Sequence, residues 1–402
     1  MTVGERVRIT APRIHQTAAG WARLSAPVSV GQRRMELYYE VPTRLGDLLA
    51  PRTDAFLPAV AVLARGSDVI QVEGADPGLV DGVRTVLMWL AHWYPTEYGR
   101  VPAIENAATP AHQRPVARSA SLLSGGIDSL ALIRHNHGSF PEGHLGRISA
   151  GLLVNWNVDV DRRDVTLRRA YFDRLAQRLE SAGLGIEIVQ VRSNLTSVAG
   201  RDDLRWSRAS HGACFAGVAH ALGAGFGCVR IGSSYQLRDL KPWGSHPLID
   251  NELSSASVRF AHDGLAMTRM EKTRIVADWP EGAAVASVCI GNYGDRLAKW
   301  NCGACEKCVR TAASFTAAGY PASAERLIGR HVTSEDIARL RLTSDVAASF
   351  WADIANEAGS SGNAALERAA RRLVERYRVR RMLQRAATPL GIRRMRAALR
   401  RS

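Results

Sequence analysis

No uninterrupted apolar stretch of the 402-residue sequence reaches the roughly 18 residues that a membrane-spanning helix needs, so no span is expected. The first residues, MTVGERVRIT, lack a basic head followed by an apolar core, so secretion is not expected and a cytoplasmic protein is. Cysteine is sparse, with six in the chain, and Cys302, Cys305 and Cys308 share one C-x-x-C-x-x-C run, a spacing that in a reducing cytoplasm points to metal and not to disulfides. Acidic residues are the minority charge. The 38 Asp and Glu face 53 Lys and Arg, giving a formal net charge of +15. That balance ordinarily raises nucleic acid as a partner, but much of the excess sits in the C-terminal arginines and describes a tail more than the body.

What is present is enough for a full core, since 46% of residues are hydrophobic, and the length sets a prior of two or three domains. Short strands are expected over 7–10, 23–30, 35–41 and 69–72, and a short helix over 54–63 despite Pro58. Val80, Val83, Leu87 and Leu90 fall at helical spacing within 79–94, with Pro95 as the stop. Residues 1–112 are therefore read as a small α+β domain. Residues 113–255 alternate strand and helix, with strands over 148–154, 186–191 and 228–231 and helices over 163–182 and 208–222. Such alternation gives an α/β fold with a parallel, doubly wound sheet, whose ligands sit at the carboxyl ends of the strands. Residues 256–330 hold the four candidate metal-binding cysteines and are read as the substrate-side region, and residues 331–402 form a helical, basic tail. Within that tail Leu366, Ala370, Leu373 and Tyr377 make an apolar stripe among arginines, and Ile392, Met395 and Leu399 repeat the pattern after Pro389.

The stretch SASLLSGGIDSLALIRHN, from Ser119 to Asn136, organises the α/β part. A buried strand runs into Gly125 and Gly126, where the backbone can bend so that N–H groups face an anion, and a helix begins near Asp128. Ser124 and Ser129 add hydroxyls. No lysine stands here, so the loop is not the G-x-x-x-x-G-K-[ST] phosphate loop. It resembles the SGGxDS loop of the PP-loop ATP pyrophosphatases, a HUP-like fold. That resemblance implies that Ser124, Gly125, Gly126, Ile127, Asp128 and Ser129 hold the pyrophosphate part of ATP, with Mg2+ at Asp128. It also implies that Val154 and Asn155 read the adenine through main-chain groups. Lys272, in TRMEKTRIVA, would neutralise phosphate charge. The loop over 240–255 is a candidate for substrate contacts, with His246 in it.

Four thiolates can close on one ion if Cys289 joins Cys302, Cys305 and Cys308, with Gly303 allowing the tight turn. Cys289 follows a strand-like AVASVC. Zinc is expected ahead of an iron–sulfur cluster. The SGGxDS loop followed by one cysteine and then C-G-x-C-x-x-C is similar to the 7-cyano-7-deazaguanine synthase branch of the PP-loop enzymes, over about residues 118 to 320. The resemblance implies ATP, Mg2+ and Zn2+ as cofactors and an AMP- and pyrophosphate-forming ligase. In it Asp128 and Lys272 are the catalytic residues, and an adenylylated carboxylate or amide-type oxygen meets a nitrogen or sulfur nucleophile. A sulfurtransferase that thiolates a base or small molecule, and a non-catalytic nucleotide-dependent binding protein, are the alternatives. The expected partners are a small-molecule substrate, a second copy of the chain, and nucleic acid or an anionic membrane surface through the basic tail.

Overall fold

The computed structural model describes residues 5–107, 114–156, 162–199, 205–291 and 293–386. The chain divides into two compact units, Met1–Met267 and Thr268–Ser402. Among the described residues of the first unit there are eleven strands: β1 Arg6–Ile9, β2 Arg13–Gln16, β3 Trp21–Val30, β4 Arg33–Pro42, β5 Val69–Val72, β6 Ala103–Asn106, β7 Ser119–Leu122, β8 Ile148–Trp156, β9 Glu187–Ser193, β10 Cys228–Gly232 and β11 Arg259–Asp263. Seven helices accompany them: α1 Leu57–Leu63, α2 Pro77–Trp93, α3 Pro95–Tyr98, α4 Ile127–Ser139, α5 Arg162–Glu180, α6 His211–Ala221 and α7 Pro247–Asp250.

All eleven strands belong to one sheet, in the order β11-β10-β7-β8-β9-β4-β3-β1-β5-β6, with β2 beside β3. The expected parallel sheet is the part from β11 to β9, in which every neighbouring pair is parallel. Counted from β7, its order is 3-2-1-4-5, which reverses at β7 and makes the carboxyl end of that strand a topological switch point. The sheet as a whole is mixed, because β4 joins β9 antiparallel through Tyr39↔Ser193 and Glu40↔Arg192, and β3 is antiparallel to β4, β1 and β2. Strands β1 to β6, which fall in the domain expected over 1–112, thus extend the same sheet, and the two compact units meet after Met267.

The two halves of this unit also share a core. Val7, Leu24, Phe56 and Leu87 from the N-terminal part are buried in one cluster with Ala120, Val189, Val218 and Phe260. Close approach makes this joint specific. Gly217 of α6 lies so near Tyr39 that a Cβ there would stand 2.3 Å from the Tyr39 hydroxyl and 2.7 Å from the Ala55 carbonyl that this hydroxyl donates to. Any side chain at 217 would push β4 away from the helix layer. Helix α2 begins where chemistry sets it: Pro77 occupies its first turn, and the Asp76 carboxylate accepts from the amides of Gly78 and Leu79.

The second unit is helical among its described residues: α8 Arg269–Ala277, α9 Pro280–Val285, α10 Tyr293–Ala298, α11 Glu306–Ala317, α12 Pro321–Ile328, α13 Ser334–Arg339, α14 Asp345–Ser360 and α15 Ala364–Ala386. Trp351 is fully buried among Val309, Ile354, Leu373 and Val374 and donates its indole N–H to Glu306. The strand-like AVASVC before Cys289 forms no strand. Its first half closes α9, and the rest runs on without regular structure. The Ile392, Met395 and Leu399 pattern lies outside the described residues.

Helix α8 starts at a reciprocal cap, with the Thr268 hydroxyl accepting from the Glu271 amide and the Glu271 carboxylate accepting from the Thr268 amide. That backbone N–H, aided by the Thr268 side chain, holds the Glu271 carboxyl below its usual range. Thr268→Ala is expected to cost the second unit about 1 kcal/mol, read as a lower midpoint of its thermal transition.

Candidate active site and metal centre

The loop at the end of β7 is built by its own small side chains. Strand β7 is buried throughout, and Leu123 continues it by donating its amide to Leu152 on β8. Gly125 then takes φ +72°, which side chains resist, and Gly126 turns back into the N-cap of α4. The two serines tie the bend from inside. Ser129 Oγ donates to the Gly126 carbonyl at 3.0 Å and accepts from the Ser124 amide at 3.3 Å, and the Gly126 amide donates to Ser124 Oγ at 3.2 Å. Ser124 is exposed, whereas Ile127 and Leu130 bury the other side of the helix. Asp128 stands in the first turn of α4.

Neighbouring strands converge on the same edge. Gly232 ends β10 with its Cα so close to α4 that a Cβ would lie 3.0 Å from the Asp128 carbonyl. Val154 and Asn155 lie at the end of β8, and Asn155 is 3% exposed while its side-chain oxygen and nitrogen have no hydrogen-bond partner among the described residues. A buried carboxamide left with one free donor and one free acceptor is costly, and it suits a ligand that offers the complementary pair. The cradle, Gly232 and the open amide therefore share one sheet edge, as the strand-end rule requires.

Other polar residues are used differently. Arg192 pairs with Asp173 at 3.1 Å and stacks 3.7 Å above the Trp21 ring, and Asn194 is consumed by the amide of Tyr38 and the carbonyl of Glu36. Both therefore lock β9 to the N-terminal strands. His246 accepts the Leu248 amide and caps α7, and burial lowers its pKa. Lys272 lies in the second unit, on α8, as a 2% exposed side chain.

Two groupings escaped the sequence. One is a row of rings. Trp156 lies 5.5 Å from Trp206 and from Phe215, Trp206 continues to His211, and Trp243 stands 5.7 Å from Tyr235 with Lys241 Nζ 5.0 Å from the Trp243 ring centre. Such faces suit a flat ligand. The other lies beneath the 240–255 loop. The Asp250 carboxylate accepts from Ser245 Oγ at 2.5 Å and from His262 Nδ1 at 2.7 Å, and the Asn251 side chain accepts the His262 amide at 3.1 Å. This clamp fastens the loop to edge strand β11. Its members are spread over eighteen residues with no local motif, and Trp206 sits in a single π-helical turn after Arg205 at φ +46°.

The metal centre closes as the spacing implied. The four sulfurs of Cys289, Cys302, Cys305 and Cys308 all lie within 4.8 Å of one another and could hold a metal ion. Sulfurs placed 2.3 Å from a tetrahedral centre stand about 3.8 Å apart, and Cys302 and Cys308 are 3.9 Å apart. Gly303, at φ +70°, turns the chain so that the amides of Ala304 and Cys305 point at Cys302 Sγ, and the Gly291 amide points at Cys289 Sγ. Amides aimed at sulfur favour thiolates. The residue that brings Cys289 within reach is Asn301, 4% exposed, which accepts from the Val288 amide and donates to the Ala286 carbonyl. The Cys308 thiol holds Cys305 down at about 4, and the same contact pushes Cys308 up.

No family model, curated protein or solved structure matches this chain. Its chemistry is therefore read from these two sites. Among the described residues no helix is long and apolar enough to cross a membrane.

Proposed function

We propose that the chain binds Mg·ATP on residues 124–129 and catalyses adenylylation. A carboxylate or amide-type oxygen of the substrate attacks the α phosphorus, the bond to the bridging oxygen breaks, and pyrophosphate leaves. A nitrogen or sulfur nucleophile then displaces AMP, as in a 7-cyano-7-deazaguanine synthase-like ligase of the PP-loop type. The observation that carries this reading is the serine-tied glycine bend at the switch point of a 3-2-1-4-5 sheet. Backbone N–H groups and the positive end of α4 favour an anion there, and no lysine is present to serve a terminal phosphate.

In this reading the Asp128 carboxylate supplies a hard oxygen ligand to the phosphate-bound cation, and the Asn155 carboxamide meets the edge of the base. The four thiolates hold zinc, which supplies a structural crosslink within the second unit. The test is to incubate the protein with ATP, a small-molecule extract and hydroxylamine as trapping nucleophile. AMP and pyrophosphate are expected, with a hydroxamate from an activated carboxylate or an amidoxime from an activated amide; ADP and phosphate as the products would refute the assignment.

A further inference from the structure

The second unit carries most of the chain's charge. Its residues, 268–402, include 24 Lys and Arg against 13 Asp and Glu, a net +11 of the total +15. Helix α15 concentrates it, with eight arginines, no lysine and two glutamates. Four of the arginines, Arg368, Arg372, Arg376 and Arg380, recur every fourth residue. With a rise of 1.5 Å per residue they form a ridge about 18 Å long in steps of about 6 Å.

The ridge borders a hollow of about 370 Å3, lined on its far side by Arg339 and Arg341 and on the helix side by Arg376 and Arg380. Arg376 donates to the Ala338 carbonyl and Arg380 to the Leu342 carbonyl, so the backbone holds these two guanidinium groups at the hollow. Arg341, Arg368 and Arg372 are exposed. Of the carboxylates on this side, Glu335 pairs with Arg339 at 3.4 Å, and Glu367 on α15 is taken by Arg371. The apolar stripe of α15 is already spent: Leu366, Ala370, Leu373, Val374 and Tyr377 are buried inside the unit. A helix whose apolar face is occupied cannot lay that face into a bilayer. It presents forked donors in a row, and guanidinium groups pair with phosphate through two parallel N–H bonds.

We propose that this ridge and hollow bind the phosphodiester backbone of a nucleic acid, with Arg341, Arg368 and Arg372 each neutralising one phosphate. The contacts are to backbone, so sequence has little influence, whereas salt has a large one. Val379, Met382 and Leu383, exposed at the far end of α15, make an anionic membrane the rival occupant.

The experiment uses the full chain. Fluorescence anisotropy follows its binding to labelled RNA and DNA, single- and double-stranded, over a salt series, and flotation tests phosphatidylserine-containing vesicles. The triple variant Arg341→Gln, Arg368→Gln, Arg372→Gln is compared with a control of equal charge change in the first unit, Arg34→Gln, Arg44→Gln, Arg259→Gln. The expected result is polynucleotide binding whose log–log salt slope falls by about 2 to 3 in the ridge variant, with affinity at low salt lowered about 10- to 100-fold and the control unchanged. Equal weakening by both variants would reduce the effect to net charge and overturn the site. So would vesicle binding that polynucleotide does not compete away, or no polynucleotide binding at low salt. Circular dichroism of the ridge variant should match wild type, because its three side chains point to solvent.

Discussion

Asp128→Asn is expected to reduce AMP release about 100-fold or more, the scale seen when one electrostatic contact to a reacting centre is removed, with little change in melting temperature. The substitution keeps the size of the side chain in the first turn of α4 and removes only its charge, so a hard cation on the phosphates loses an anionic ligand. Steady-state AMP formation and the thermal midpoint should be measured on the same preparation. A variant with wild-type turnover would remove Asp128 from the chemistry. The companion change is Gly125→Ala. At φ +72° a Cβ costs about 1 to 2 kcal/mol of backbone strain, and relief of that strain would turn the loop amides away from the phosphates. It should therefore weaken ATP binding as well as turnover, whereas Asp128→Asn should act mainly on turnover.

Much of this arrangement was legible from residue order, because the features involved are local. Strand ends, the paired glycines and the thiol spacing all act within a few residues, where steric and hydrogen-bond rules decide the outcome. Strands over β3 and β4 could be read from the sequence, but the junction of β4 with β9 could not. That join depends on Glu40 meeting Arg192 and on Gly217 admitting Tyr39, contacts between residues more than 150 positions apart. Strand β11 was also missed. Its sequence, RFAHD, alternates poorly because both Phe260 and Ala261 are buried, and His262 is drawn into the Asp250 clamp. Asn155 could be seen only as a strand-end residue; that its carboxamide is buried and open on both atoms is a property of the packed sheet. Asn301 looked like an ordinary polar neighbour of Cys302, yet it is the bracket that closes the metal centre.

Loss of the metal should have the largest effect on stability in the second unit. Binding free energy of order 10 kcal/mol is typical for structural zinc on thiolate sets near neutral pH, and four sulfurs at mutual distances within 4.8 Å suit one ion. Cys308 lies fully buried in the first turn of α11, a helix whose Val309 and Ala313 enter the same core as Trp351. Cys308→Ser should therefore lower bound zinc from one equivalent to well under one, and lower the melting transition of this unit further than Thr268→Ala does. Metal analysis and calorimetry on both variants would check the ranking. Acid should mimic the mutation. In the metal-free cluster Cys305 ionises at about 4, whereas burial raises Cys302 and the contact with Cys305 raises Cys308, so those two thiols keep their protons at neutral pH and release them as the ion enters. Affinity should consequently fall as pH falls, with protons released on zinc addition in weakly buffered solution. A colourless protein with one zinc is the expected state. Stoichiometric iron with visible absorption would replace zinc by a cluster, and a Cys308→Ser protein that melts like wild type would deny the centre any structural role.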